Sequence, residues 1–270
     1  MPAARAIITF TSDYGLRDPF VGVCRAVVAR IAPHARLIDL CHGIPRHDVV
    51  AGALTLADCA GYLPPGVHLA VVDPGVGTTR EAVAVAAGDH LLVGPDNGLL
   101  VPAAERLGGA RAAWALTRGA YRLEPVSATF HGRDVFAPAA AHLACGVAPD
   151  ELGPPRDPAG LVRPDLPAPW RDAGRVEGVV VLVDGFGNAS LNVSGDDLAA
   201  AGLRVGDRVA VAVGRRSAVA TVSRTFADVA EGALAVLLDS FGRVALAVNG
   251  GDAAAALGAT RGTRVSLARQ

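Results

Sequence analysis

The stretch AIITFTSDYGLRDPFVGVCRAVVARIAPHARLIDL (residues 6–40) decides the fold. Residues 6–10 read as a buried strand, 20–31 as an amphipathic helix that stops at Pro33, and 37–40 as the next strand. A strand, a helical crossover and a second strand make a βαβ unit, whose two strands run parallel. Working outward, the alternation continues: a helix over 47–63 closed by Pro64-Pro65, and strands over 67–72, 82–87 and 91–93. Helices follow near 99–107 and 134–145. Residues 1–148 therefore read as an α/β domain built on a mostly parallel sheet.

The pattern then breaks. Seven prolines fall between residues 147 and 174 and no periodicity survives there, so residues 149–174 read as an extended, proline-rich linker. Beyond it the texture changes to short β-rich runs (179–183, 190–193, 208–213, 218–222, 234–238, 244–248, 264–267) separated by Gly and Asp turns. Only two brief helical pieces, near 196–201 and 252–257, interrupt them. Close-spaced short strands predict a small β-barrel or sandwich over residues 175–270.

Composition narrows the classes of function. Twenty-five basic residues face 26 acidic ones with no basic tract, which argues against a nucleic-acid partner. No run approaches the roughly 18 apolar residues that would span a membrane, and the N-terminal residues lead straight into a strand, so the expected setting is cytoplasmic. The four cysteines (Cys24, Cys41, Cys59, Cys145) form no CxxC pair, and Cys24, Cys59 and Cys145 read as reduced core thiols. His42 and His47 near Cys41 and Asp48 lack zinc-like spacing, so no metal is expected. The DPGVGTTR segment (73–80) has neither GxxxxGK[ST] nor a GxGxxG that opens a helix, which makes ATP and NAD poor guesses and leaves no cofactor expected.

In sheets of this kind ligands bind beyond the carboxyl ends of the strands. Polar segments gather at those places: 11–15, 73–80, 94–98 and 129–134, with 184–188 and 249–251 in the β-rich half. Each has a structural reading as well as a functional one. Asp13 can cap the following helix, Asp96-Asn97-Gly98 can be a turn, Asp73 can end a strand before Pro74, and His131 can be a satisfied buried histidine.

Together these segments resemble the S-adenosylmethionine hydroxide adenosyltransferase family, relatives of fluorinase and chlorinase. The resemblance runs through FTSDYG (10–15), IDLCHGIPRHDV (38–49), VVDPGVGTTR (71–80), GPDNGLL (94–100), TFHGRDVFAPAAAHLA (129–144), VDGFGNASLN (183–192), TFADV (225–229) and LLDSFGRVALAVNGG (237–251), eight motifs in one order. It implies an N-terminal α/β domain, a C-terminal β-barrel, and a homotrimer with active sites between the N domain of one subunit and the C domain of its neighbour. The halogenases of the family carry tyrosine where this chain has Asp73 and lack a histidine at the position of His131. The water-using branch carries the Asp, an Arg seven residues later, and the His, here Asp73, Arg80 and His131. Fluorinase also has an inserted loop between the two strands that Gly88-Asp89-His90 joins tightly here.

The resemblance then implies hydrolysis of S-adenosyl-L-methionine to adenosine and L-methionine. Asp13 would accept hydrogen bonds from the ribose hydroxyls, and Pro74, Gly75, Val76 and Phe130 would line the ribose and the reaction centre. Asp184 and Ser240 of the neighbouring subunit would hold the methionine amine and carboxylate, while Asn188, Phe226, Val248 and Gly250 bracket the adenine. The chain departs from fluorinase at Phe241 and Val248, where that enzyme has arginines. Asp73 and His131 are expected to hydrogen-bond a water in line behind ribose C5′ and accept its proton, with Arg80 stabilising developing negative charge. Two rival readings stay open: a chlorinase-like halide transferase on the same fold, and a non-catalytic sensor of S-adenosylmethionine or adenosine.

Overall fold

The computed structural model describes residues 7–270, so Ala6, at the head of the first expected strand, lies outside the described residues. The chain divides into two units, one ending at Asp165 and the other spanning Leu166–Gln270.

The first unit contains β1 (Ile7–Ser12), α1 (Phe20–Ile31), β2 (Arg36–Cys41), α2 (Val49–Ala60), β3 (Val67–Val71), β4 (Ala82–Ala87), β5 (His90–Pro95), α3 (Val101–Arg106), β6 (Ala110–Ala115), α4 (Ala137–Ala144) and β7 (Pro155–Arg156). The sheet order is β2-β1-β3-β5-β4-β6-β7. β2, β1, β3 and β5 are mutually parallel, β4 is antiparallel to both β5 and β6, and β7 is antiparallel to β6. Five of the seven strands thus point one way and β4 and β7 point back. The βαβ reading explains the parallel half, while β4 and β5 form the tight hairpin through Gly88-Asp89 that the sequence predicts.

Small residues let the helices approach the sheet closely. Val21, Cys24, Val27 and Val28 of α1 join the buried Ile8, Phe10, Leu69 and Val71 and the alanines of α4 in one core. Full burial of a side chain such as Phe10 or Leu69 stabilises the fold by about 1.5–3 kcal/mol. On α2, a Cβ at Gly52 would stand 2.9 Å from both Val72 and Leu99, so this helix rests on the end of β3 only because the position is bare. Asp48 caps α2, its Oδ1 accepting from the Ala51 N–H at 2.9 Å. That cap starts the helix at Val49, two residues after the expected start. The strand β6 (ARAAWA) was not expected from its alanine-rich sequence. Part of the proline-rich stretch belongs to the first unit, where Pro149–Leu152 and Pro158–Gly160 make short 3₁₀ turns and β7 pairs with β6. All four cysteines are free. Cys24 is buried as expected, but Cys59 is half-buried, and Cys145, at the end of α4, is exposed with its thiol on the Ile31 carbonyl. Burial raises the Cys24 thiol to about 12, which keeps it protonated and inert.

The second unit comprises β8 (Trp170–Asp172), β9 (Arg175–Val183), β10 (Ala189–Ser194), α5 (Gly195–Ala200), β11 (Arg208–Val213), β12 (Arg216–Val222), β13 (Leu234–Leu238), β14 (Arg243–Val248), α6 (Ala253–Leu257) and β15 (Arg264–Arg269). Strands run β10-β14-β13-β12-β11-β15-β9, and β9 pairs back onto β10, closing a seven-stranded barrel with β8 attached to β9. β9 achieves this by dividing its length: Arg175–Val179 pairs with β15, and 180–183 with β10. Strict alternation along β11 sends Val209, Val211 and Val213 inward, where they meet Leu191, Val236, Leu246 and Leu267. Among the described residues no helix is long and apolar enough to cross a membrane.

Candidate functional site

β1 and β3 are paired in register, with Ser12 beside Val71, so the loops leaving their carboxyl ends start side by side. The loop after β3 carries Asp73-Pro74-Gly75-Val76-Gly77-Thr78-Thr79-Arg80 and folds tightly on itself. Val76 N–H donates to the Asp73 carbonyl (3.2 Å), and Thr78 donates from its N–H (3.1 Å) and its hydroxyl (2.6 Å) to the Gly75 carbonyl. Gly77 takes a positive φ of 75°, and a Cβ there would stand 2.2 Å from the Ala128 carbonyl oxygen, so only glycine fits. Asn97 clamps the entry to this loop by donating its side-chain amide to the Val72 carbonyl at 2.9 Å.

This turn brings Arg80 back onto Asp73. Arg80 Nε donates to Asp73 Oδ1 at 2.8 Å, and Nη2 donates to Oδ2, a bidentate ion pair. The two side chains are only 11% and 5% exposed. Nη2 also donates to His131 Nδ1 at 2.8 Å, and the guanidinium stands 5.1 Å from the centre of the Phe136 ring. His131 precedes a π turn over Gly132–Phe136 that leads into α4; such turns recur at functional sites.

The shared bond fixes the histidine tautomer. A guanidinium has no acceptor, so His131 Nδ1 must accept, and the neutral ring carries its proton on Nε2. Burial foremost, then the Arg80 charge, holds the imidazole below its usual pKa, against a smaller opposing pull from Asp73. His131 is therefore neutral at pH 7. Its folded-state pKa lies below the unfolded one, so the unfolded chain takes up the proton first, and stability contributed here falls as pH drops below about 6.5. Activity should follow the same sign, because protonation of Nδ1 breaks the bond to Arg80. The expected pH profile of kcat/KM is flat near neutrality, with an acid limb whose midpoint lies below 6.5. A limb centred above that value would contradict this assignment.

Asp13, Tyr14, His47, Asp73, Val76 and His131 line one cavity of about 430 Å³. Asp13 Oδ2 accepts from the His47 N–H at 2.9 Å, which supports the positive φ of 62° at His47, while among the described residues no comparable bond occupies Oδ1. Arg80 and His131 also face a second, smaller cavity bounded by Thr78, Thr117 and Arg122. Of the other expected residues, Pro74 and Gly75 shape the turn without lining the larger cavity. A Cβ at Gly75 would meet Arg80 Cγ at 3.0 Å. Phe130 sits behind the cavity wall, its ring packed on Tyr14 (5.8 Å) and Phe20 (5.2 Å).

In the barrel, Asp184, Asn188, Phe226, Ser240, Val248 and Gly250 all line a single cleft of about 670 Å³. Sixty-six residues of sequence separate the first from the last, and they meet because β10 pairs with both β9 and β14. The Asp184 carboxylate organises its own loop: Oδ1 accepts from Phe186 N–H and Asn188 N–H at 2.9 Å, and Oδ2 accepts from the Asn188 amide at 2.8 Å. Asp239 does the same next door, taking the Ser190 hydroxyl and the Phe241 and Arg243 N–H groups. Phe226 (47% exposed), Phe186 (82%) and Leu238 (47%) form an uncovered apolar wall of that cleft, the kind of exposed patch that marks a binding surface. Sequence reasoning gave Tyr14 and Asp239 no role, weighed His47 only as a metal ligand and read Asn97 only as a turn residue. All four lie inside quoted motifs, but side-chain direction is not written in spacing.

Residues 8–153 match the family described as SAM hydroxide adenosyltransferase N-terminal domain, and residues 178–266 match the corresponding C-terminal domain. The chain is similar to proteins named (R)-S-adenosyl-L-methionine hydrolase: one from Salinispora tropica, 52% identical over 262 residues, covers 96% of this chain and 97% of that protein. Another, from Thermus thermophilus, is 44% identical over 277 residues and covers 96% and 98%. A fluorinase from Actinopolyspora mzabensis is more distant, 28% identical over 294 residues with 98% of each covered. Among solved structures, an uncharacterized conserved protein from Thermotoga maritima superposes with a TM-score of 0.90 at 36% identity, covering 97% of this chain and all of that one.

Proposed function

Because this chain belongs to the S-adenosylmethionine hydroxide adenosyltransferase family, we propose that it hydrolyses S-adenosyl-L-methionine to adenosine and L-methionine. The observation that carries the reading is the Asp73–Arg80–His131 cluster, a carboxylate and a neutral imidazole held by one guanidinium in a cavity at the strand ends. Its chemistry suits water, which must be oriented and must lose a proton. A halide needs neither.

Sulfur leaves as a neutral thioether, so the leaving group needs no acid. Water attacks ribose C5′ from the side opposite sulfur. Asp73, whose oxygens retain lone pairs beyond those taken by Arg80, receives a water proton. His131 Nε2–H donates to the water oxygen and directs a lone pair at C5′, which replaces the expectation that His131 shares the proton. Asp13 Oδ1 holds the ribose diol. In the barrel cleft, Asp184 and Ser240 hold the methionine end, and Asn188, Phe226, Val248 and Gly250 bracket the adenine. Each half-site is open by itself, which supports a homotrimer in which the strand-end cavity of one subunit meets the barrel cleft of its neighbour. Light scattering that returned a single-chain mass at micromolar concentration would exclude that assembly. Four unpaired thiols suit a reducing compartment and support a cytoplasmic setting.

The sulfonium is itself a stereocentre, and the relatives' name specifies its R configuration, so the R epimer is the substrate proposed here. The test is incubation of each sulfur epimer with the purified chain in ¹⁸O-water. The expected result is faster release of methionine from the R epimer, with one ¹⁸O in the adenosine 5′-hydroxyl. Unlabelled adenosine, a 5′-chloro product when chloride is added, or tight binding without methionine release would each overturn the reading.

A further inference from the structure

Tyr14 lines the same cavity as Asp73 and His131, yet the reaction above gives it no task. Its ring is fixed among Phe10 (6.4 Å), Phe20 (5.9 Å) and Phe130 (5.8 Å). The backbone on either side is pinned too. Tyr14 N–H donates to Ser12 Oγ at 3.3 Å, Ser12 Oγ bonds His42 Nδ1 at 2.7 Å, and Gly15 N–H donates to the His42 carbonyl at 2.8 Å. Phenylalanine would pack in this cluster equally well, so packing does not account for the hydroxyl.

The hydroxyl has a defined place. A Cβ at Gly132 would lie 2.1 Å from Tyr14 Oη, so the oxygen rests on the bare backbone directly after His131. Burial first, and the nearby Asp13 and Asp73 charges, keep the phenol protonated well past neutrality. A buried-edge tyrosine hydroxyl ordinarily finds a hydrogen-bond partner, and here it lies against Gly132, which lines the same cavity as Asp73 and His131.

A water aimed at C5′ has four directions to satisfy. One lone pair points at carbon, one accepts from His131 Nε2–H, and one hydrogen goes to Asp73. We infer that Tyr14 is a further catalytic residue of the hydrolytic site, its phenolic oxygen accepting the fourth bond, from the second hydrogen of the attacking water. This rests on the hydrolase reading above. As the C5′–O bond forms, the C5′–S bond breaks and its electron pair stays on sulfur, giving neutral methionine. The proton facing Asp73 moves to that carboxylate, and the proton facing Tyr14 remains as the hydrogen of the adenosine 5′-hydroxyl.

The test uses the full chain with steady-state kinetics on the R sulfur epimer of S-adenosyl-L-methionine. Tyr14→Phe keeps the ring and removes one hydrogen bond to the reacting water, so kcat should fall about tenfold or more while KM stays within about twofold. Gly132→Ala, which leaves the tyrosine but displaces its hydroxyl, should lower kcat in the same direction. A Tyr14→Phe enzyme with kcat within twofold of wild type would overturn the assignment. A loss confined to KM would also overturn it and make Tyr14 a ribose contact instead. Wild-type chain that released no methionine would sink the hydrolase reading itself, a separate result visible before any variant is compared.

Discussion

Asp73→Asn is expected to lower kcat by about 10³-fold with little change in KM, the range in which removal of a positioned base acts. The amide has nearly the same shape, and its oxygen can still accept from Arg80, so the turn and the cavity should survive. What disappears is the only group in the cluster free to take the water's proton. Arg80 has no acceptor, and His131 offers Nδ1 to Arg80 and already carries a proton on Nε2. Substrate contacts assigned to Asp13 and to the barrel cleft are untouched, which is why KM should hold. Rapid-quench measurement of methionine release would isolate the chemical step. An Asp73→Asn enzyme that retained a tenth of the wild-type rate would show that the proton goes elsewhere.

Arg80→Met should fail in two ways at once. It leaves a carboxylate only 5% exposed without its cation, and breaking a buried pair by removing one partner typically costs about 3–5 kcal/mol. It also frees His131 to change tautomer and orientation, so activity should drop by about 10²-fold or more. Methionine preserves much of the volume and the contact with Phe136, which limits the cavity term. The double variant Asp73→Asn/Arg80→Met separates the effects: most of the lost stability should return because no charge is stranded, whereas activity should not. Urea unfolding reads the first and turnover the second. A single Arg80→Met variant less than about 1 kcal/mol below wild type would mean that water reaches the carboxylate and the pair is worth little.

The parallel core was legible in the sequence because α1 and α2 run out just before Pro33 and Pro64, and β1, β2 and β3 are short runs set on either side of them. β6 was not, since ARAAWA contains no β-branched residue and its strand character comes from pairing with β4. The two-residue β7 and three-residue β8 are too short for any period to register. The barrel strands read well because Gly and Asp turns punctuate them, whereas their pattern left barrel and sandwich open and the family resemblance supplied the closure, which depends on β9 serving two partners. At the site, residue types pointed to Asp73 and His131 only as suspicious positions, and the family resemblance supplied their roles. The structure adds what neither gives: Arg80 bridges the two, Nδ1 is occupied, and Phe130 stands behind the wall rather than on it.

The fit of Gly77 beneath the Ala128 carbonyl has a consequence for protein engineering. It keys the DPGVGTTR turn to the strip of chain running up to His131, so the two are not separately exchangeable parts. Grafting a halogenase-type nucleophile pocket onto this scaffold by swapping position 73 alone would leave Arg80 and the imidazole arranged for an anion that is no longer there. Residues 73–80 and 127–134 have to be transplanted together, as one cassette.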